Sequence, residues 1–168
     1  VWYSSRLRDD FSFKQIPPEE LRDNVFTLVG KNFFLITAGK ENHYNSMVGS
    51  GGGFGVLFRK PTSWCLLQTT RYTLELMEKV GTYTLSYFPN EYKEQMLFQL
   101  TGIQTPSSDM SFKEAGLIFE CRLTQLTTPA PDDFCTVEAK EYIREAYKDV
   151  NEYRKYAFGE ITRVWVKK

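Results

Sequence analysis

The sequence predicts a mainly β chain with helices, folded as a small closed or partly closed antiparallel barrel. Three observations carry this. Short strand-like runs recur along the chain, about six of them, bounded by glycine and proline. Two or three helical stretches fall between them without the regular strand–helix alternation of a parallel sheet. Aromatic residues reach 15% of the chain, as suits a β-rich domain or an interface. A length of 168 residues supplies one sizeable core and is too short for two comfortable ones, so residues 1–168 are expected to form a single domain.

The elements are expected in this order. After a polar lead-in, a helix is predicted near 18–29. Pro18 suits its first position, Glu19 and Glu20 its positive end, and Leu21, Val25 and Leu28 one face. NFFLITA (32–38) is apolar on both faces, as a buried strand would be. Strands at 44–50 and 53–58 are separated by glycines, and SWCLLQT (63–69) follows a turn signal at Lys60-Pro61. RYTLELMEKV (71–80) places Thr73, Leu76, Met77 and Val80 at helical spacing, and Gly81 stops it. TYTLSYF (82–88) alternates, with Tyr83, Leu85 and Tyr87 opposite Thr82, Thr84 and Ser86. A helix from Asn90 to about Leu100 follows. LIFECRLTQ (117–125) reads as a half-buried strand, then come a loose proline- and aspartate-containing segment, a helix near 138–149 and a last strand near 157–167.

Composition removes several classes of function. Lys+Arg and Asp+Glu stand at 21 each, and this balance argues against a general electrostatic role on nucleic acid or an anionic membrane. No apolar run approaches a membrane span. The opening VWYSSRLRDD has no signal-peptide core, and its start without Met suggests trimming; a cytoplasmic location is the default expectation. Cys65, Cys121 and Cys135 show no CxxC spacing, so reduced thiols are expected rather than a disulfide framework or zinc site. With His43 as the single histidine, a multi-histidine metal site within one subunit is impossible. His43 itself sits in a polar context, ENHY, and reads as a surface residue.

The most unusual stretch is NSMVGSGGGFG (45–55), followed by RKP (59–61) and TTRYT (69–73). Glycines let backbone N–H groups approach a ligand, and small hydroxyl side chains donate to phosphate oxygens. Arg71, Tyr72 and Thr73 fall at the amino end of a predicted helix, where free N–H groups and the helix dipole favour an anion. Arg71 with the hydroxyls of Thr73 and Ser50 would hold one phosphate. A glycine run between strands is as often a hairpin or bulge. The glycine spacing matches neither G-x-G-x-x-G nor G-x-x-x-x-G-K-[ST], which excludes a Rossmann dinucleotide site and a P-loop.

NSMVGSGGGFGVLFRKP, then TTRYTLELMEKVGTYTLSYFPNEYKEQM, then LIFECRL and FGEI, in that order, resemble the flavin-reductase-like or flavoredoxin-like branch of the FMN-binding split barrels. The matches run from about residue 18 to 165. The resemblance implies a split β-barrel and bound FMN reduced by NAD(P)H, with electrons passed to a small molecule or redox protein. It also implies a homodimer with the flavin near the interface. It places Asn45, Ser46, Met47, Val48, Gly49 and Ser50 along the ribityl chain and isoalloxazine. Arg71, Tyr72 and Thr73 would surround the phosphate, with Lys60 nearby. In such chemistry the cofactor performs the redox step while the protein orients it, so no protein nucleophile is required.

The chain departs from the family pattern at Gly51 and Phe58, where tryptophans are usual, and at Arg154, where a histidine is common. An S-G-R-D-like segment expected after the helix at 90–100 is absent. A divergent, non-catalytic flavin- or ligand-binding split barrel is therefore the alternative. A pyridoxamine-phosphate-oxidase-like relative ranks below it, because the R-Y-T helix and the L-S-Y-F strand fit the flavin-reductase pattern better.

Overall fold

The computed structural model describes residues 12–92, 94, 114–149 and 153–168. Among them, eight strands form one antiparallel sheet: β1 (Phe13–Ile16), β2 (Phe34–Lys40), β3 (His43–Gly49), β4 (Gly52–Leu57), β5 (Lys60–Gln68), β6 (Thr82–Tyr87), β7 (Leu117–Thr127) and β8 (Arg154–Lys167). The strand order is β3-β2-β6-β7-β8-β5-β4. The long β8 carries β5 along its first half and β1 along its second, on the side away from β7. Among the described residues the sheet is accompanied by the α-helices α1 (Val25–Gly30), α2 (Tyr72–Val80) and α3 (Val137–Ala146).

The link between β3 and β4 forces this sheet to curl. In a flat sheet the two edge strands would lie six spacings apart, roughly 29 Å at ~4.8 Å each. Gly49 and Gly52 are joined through Ser50 and Gly51 alone, and three virtual bonds span at most about 11 Å. The edges must therefore meet. Phe54 of β4 accordingly packs across the interior, its ring centroid 4.6 Å from Phe119 of β7 and 6.5 Å from Tyr87 of β6. The result is the predicted antiparallel barrel, left open between β3 and β4.

Two apolar layers result. Phe34, Ile36, Cys65, Leu67, Tyr83, Leu85, Phe119 and Val164 fill the barrel, joined by Leu74, Leu76 and Met77 from α2. Phe13, Leu35, Val48, Phe88, Ala115, Ile118 and Trp165 form a second cluster on the outer face. One rung of that face is polar: Ser46, Thr37, Thr84, Glu120 and Arg163 are cross-strand partners in succession. The Glu120 carboxylate is fully buried and accepts from Trp165 Nε1 at 2.8 Å and Arg163 at 3.1 Å. The hydroxyls of Thr84 and Ser86 are buried without a partner.

Several sequence expectations need correction. The helix at 18–29 is two elements: a 3₁₀ turn at Pro18–Glu20, then α1 beginning afresh at Val25. Asn24 restarts the helix, its side chain accepting from the N–H groups of Phe26 and Thr27. The polar lead-in contains β1. The turn before SWCLLQT lies at Phe58–Arg59, both at positive φ, and Pro61 is already within β5 opposite Val56. Proline is tolerated there because pairing with β8 begins only at Thr62.

Strand β6 alternates as expected and is buried on both faces, with Tyr83, Leu85 and Tyr87 in the barrel core and Thr84 and Ser86 on the other side. Burial on both faces also extends over the first five residues of β7, before its exposed half begins at Arg122. The helix expected over 90–100 opens as a 3₁₀ turn at Asn90–Tyr92; most of the rest lies outside the described residues.

Candidate functional site

The site is built where β5 hands over to α2. Gln68 ends β5, Arg71 N–H donates to Gln68 O at 3.1 Å, and Arg71 becomes the N-cap of α2 in an extended conformation. Its side chain makes no capping hydrogen bond, so the first-turn N–H groups of the helix are not claimed by a cap. The helix forms because Leu74, Leu76 and Met77 bury against the barrel, and it stops at Gly81 in the left-handed conformation, φ 68°.

A cleft of about 420 Å³ opens at this junction. It is lined by Thr69, Thr70, Arg71 and Tyr72 at the junction, by Leu74, Glu75 and Glu78 along α2, and by Lys155 of β8. Arg71 Nε donates to Gln68 Oε1 at 2.8 Å, and among the described residues its guanidinium forms no carboxylate ion pair. Tyr72 OH lies 2.6 Å from His43 Nε2, with the rings edge-to-face at 6.0 Å. Lys155 Nζ is bound to Glu78 at 2.6 Å, and Lys79 binds Glu75 at 2.6 Å. The glutamates are thus each matched by a lysine, and Arg71 is left as the charge available to an incoming anion. Guanidinium, two threonine hydroxyls and the start of a helix make a donor set suited to one phosphate.

The strand expected along the flavin divides between the two faces of the sheet. Asn45 Nδ2 donates to Thr73 Oγ1 at 2.8 Å and lies 3.3 Å from Ser46 O. Ser46 shares a 2.7 Å hydrogen bond with Thr37 on the outer face. Met47 packs against the barrel core, Val48 belongs to the outer cluster, and Ser50 is exposed. Gly49 lies beneath the Phe34 ring, where a Cβ would approach to 2.6 Å.

The structure therefore brings Asn45, Arg71, Tyr72 and Thr73 together. Thr73 is fully buried and does not line the cleft; it braces β3 against α2. Lys60 stands at the far end of β5, eight residues or roughly 26 Å of strand from Gln68, and pairs with Glu160 at 2.9 Å. Arg122 also bonds Glu160, and these two partners hold its carboxyl below the usual range.

His43, Glu78 and Lys155 were not assigned to the site from sequence. His43 is exposed, as expected, and its partner Tyr72 became visible only once β3 and α2 were placed side by side. Lys155 reaches the cleft through its strand pairing with Leu67, a long-range contact with no local signature. The glycine run serves packing as well as the strand link: the Trp64 indole lies across Gly53, where a Cβ would come within 2.4 Å of the ring. Among the described residues no cluster of three potential metal ligands occurs. No helix among them is long and apolar enough to cross a membrane.

No family model matches the sequence, and no curated protein matches it. Solved structures do. Flavoredoxin from Methanosarcina acetivorans superposes with a TM-score of 0.57 at 14% identity, over 91% of this chain and 77% of its own. An FMN-binding protein from Thermus thermophilus, solved with p-hydroxybenzaldehyde, gives 0.57 at 14% identity, over 92% and 82%. A protein from Shewanella frigidimarina NCIMB 400 described as a flavin reductase with a split barrel domain gives 0.57 at 16%, over 82% and 67%. The fold of the chain is that split barrel.

Proposed function

We propose that this chain is a flavin-binding oxidoreductase of the flavin reductase and flavoredoxin type, with FMN as its cofactor and NAD(P)H as electron donor. The observation that carries the reading is the cleft at the start of α2, where Arg71 has no carboxylate partner among the described residues. It lies in a fold shared with flavin-binding proteins.

Arg71 and the hydroxyls of Thr69 and Thr70 would hold the phosphate, with the first N–H groups of α2 adding the helix dipole. The Asn45–Thr73 hydrogen bond links β3 to that helix start, so the strand from Asn45 to Ser50 would border the rest of the cofactor. The flavin, when bound, supplies the redox chemistry, accepting a hydride and passing electrons onward. The residues of this chain orient it. A second copy of the chain completes the site, and the electron acceptor is a small molecule or a redox protein.

Binding without turnover is the second reading, and Arg154 favours it. It stands exposed on β8 at the position where the resembling family carries a histidine. Anaerobic titration of the protein with FMN, followed by NADH or NADPH, separates the two. Saturable binding with bleaching of the flavin absorbance supports the reductase. Binding without bleaching supports the carrier, and no binding removes both. Light scattering of the eluted protein tests the dimer.

A further inference from the structure

Resting on that reading of the cleft, a second cation comes into play. Lys155 and Arg71 approach the same space from different elements, β8 and the start of α2. Arg71 is held only by the neutral Gln68 amide among the described residues. Lys155 is held by Glu78, at 2.6 Å, with both side chains about a third exposed, 32% and 40%. An ion pair so open to water is weak. Its carboxylate is therefore readily exchanged for a phosphate dianion, which offers more charge and more acceptor oxygens.

The geometry suits such an exchange. Glu78 lies six residues beyond Tyr72, about 9 Å along the helix axis. A lysine side chain anchored on β8 and lining the same cleft covers a distance of that order by rotating its flexible four-carbon stem. The other carboxylate lining the cleft, Glu75, is already bound by Lys79.

We propose that Lys155 is a second phosphate-binding residue of the cleft, stored on Glu78 when the cleft is empty and transferred to the ligand's phosphate ester when it is filled. Glu78 is then a competitor of the ligand, which sets a sign that a structural salt bridge would not show. Removing Lys155 weakens binding, whereas neutralising Glu78 strengthens it, because the lysine is released and a like charge leaves the cleft.

The test compares FMN and riboflavin binding to wild type, Lys155→Met and Glu78→Gln by fluorescence quenching, with inorganic phosphate as a separate calorimetric probe. FMN affinity is expected to fall about tenfold in Lys155→Met and rise several-fold in Glu78→Gln, on the scale of one charge-assisted hydrogen bond. Riboflavin, lacking the phosphate, should bind all three alike.

Loss of affinity in both variants would make the pair a brace and overturn the proposal, as would no change in either. Lys155-dependent binding of inorganic phosphate without any FMN binding would uphold the proposal and remove the flavin reading. Absence of both FMN and phosphate binding would remove both.

Discussion

Asn45 Nδ2 donates to Thr73 Oγ1 at 2.8 Å, and this one hydrogen bond ties the edge strand of the sheet to the first turn of the helix beside the cleft. Thr73 is fully buried, so replacing it with valine removes the shorter of the two acceptors of the Asn45 amide and leaves only Ser46 O at 3.3 Å. Thr73→Val should destabilise the fold by about 1–3 kcal/mol in urea titration. Asn45→Ala/Thr73→Val should be less destabilised than the sum of the single changes, as partners in contact are. An additive double variant would show that the two residues act separately.

Arg71 gives the most direct test of the phosphate site. Its guanidinium is exposed and bonded to Gln68, so Arg71→Ala should leave stability nearly unchanged while weakening FMN binding by about 1.5–3 kcal/mol. Riboflavin affinity should not move. Equal losses for FMN and riboflavin would place Arg71 against some other part of the ligand.

How much of this was legible in the sequence follows from how local each signal is. Helix α2 was readable because its apolar spacing, Arg71 start and Gly81 stop lie within eleven residues. β1 was not, since FKQI has no strong pattern and is fixed only by pairing with Val164–Lys167 at the other end of the chain. The break at Asn24 was masked by a helical spacing of Leu21, Val25 and Leu28 that looked continuous, while the Asn24 side chain capped a new start. In the cleft, Arg71 and Tyr72 announced themselves through the helix start. Lys155 depended on strand register, and Thr73 was visible as a residue but not as a buried brace.

Glu120 places a charged group within the outer layer. Its carboxylate is fully buried, with Arg163 at 3.1 Å and Trp165 Nε1 at 2.8 Å. Arg163→Met removes the counter-charge and leaves the carboxylate in place, so it should destabilise by about 3 kcal/mol or more. Glu120→Gln retains acceptors for Trp165 and should be milder. Chemical denaturation of the two variants side by side checks the order, and a reversal would show that the charge itself is dispensable.

The thiols should divide sharply. Cys135 is exposed, whereas Cys65 and Cys121 are buried in the barrel. Burial pushes the Cys121 thiol from 9.0 up to about 12, even with Ser63 and Tyr83 bonded nearby, and raises Cys65 further. One thiol per chain should react with a chromogenic disulfide at pH 8 in the native state, and three after unfolding. The same shifts fix the sign at alkaline pH. Below pH 9 both states keep these protons and stability is intact. From there upward the unfolded chain releases them first, so stability falls; the Cys121 share of this loss is complete once pH passes its folded value near 12, and the Cys65 share only above that. Flat stability between pH 9 and 11 would contradict it.

The tip of the β4–β5 hairpin carries avoidable strain. Phe58 and Arg59 have φ of 52° and 63°, and Leu57 faces Lys60 across them, the two-residue turn whose geometry favours Asn-Gly. Phe58 is 86% exposed, so its ring contributes little packing to offset a left-handed backbone. Each such non-glycine residue sacrifices about 1 kcal/mol. Phe58→Asn/Arg59→Gly should therefore raise the melting temperature while leaving FMN affinity unchanged, because the tip is at the end of β5 remote from Arg71. A lower melting temperature would mean that Phe58 is buried in the assembled protein, and paired size measurements of wild type and variant would then locate the subunit contact at this hairpin.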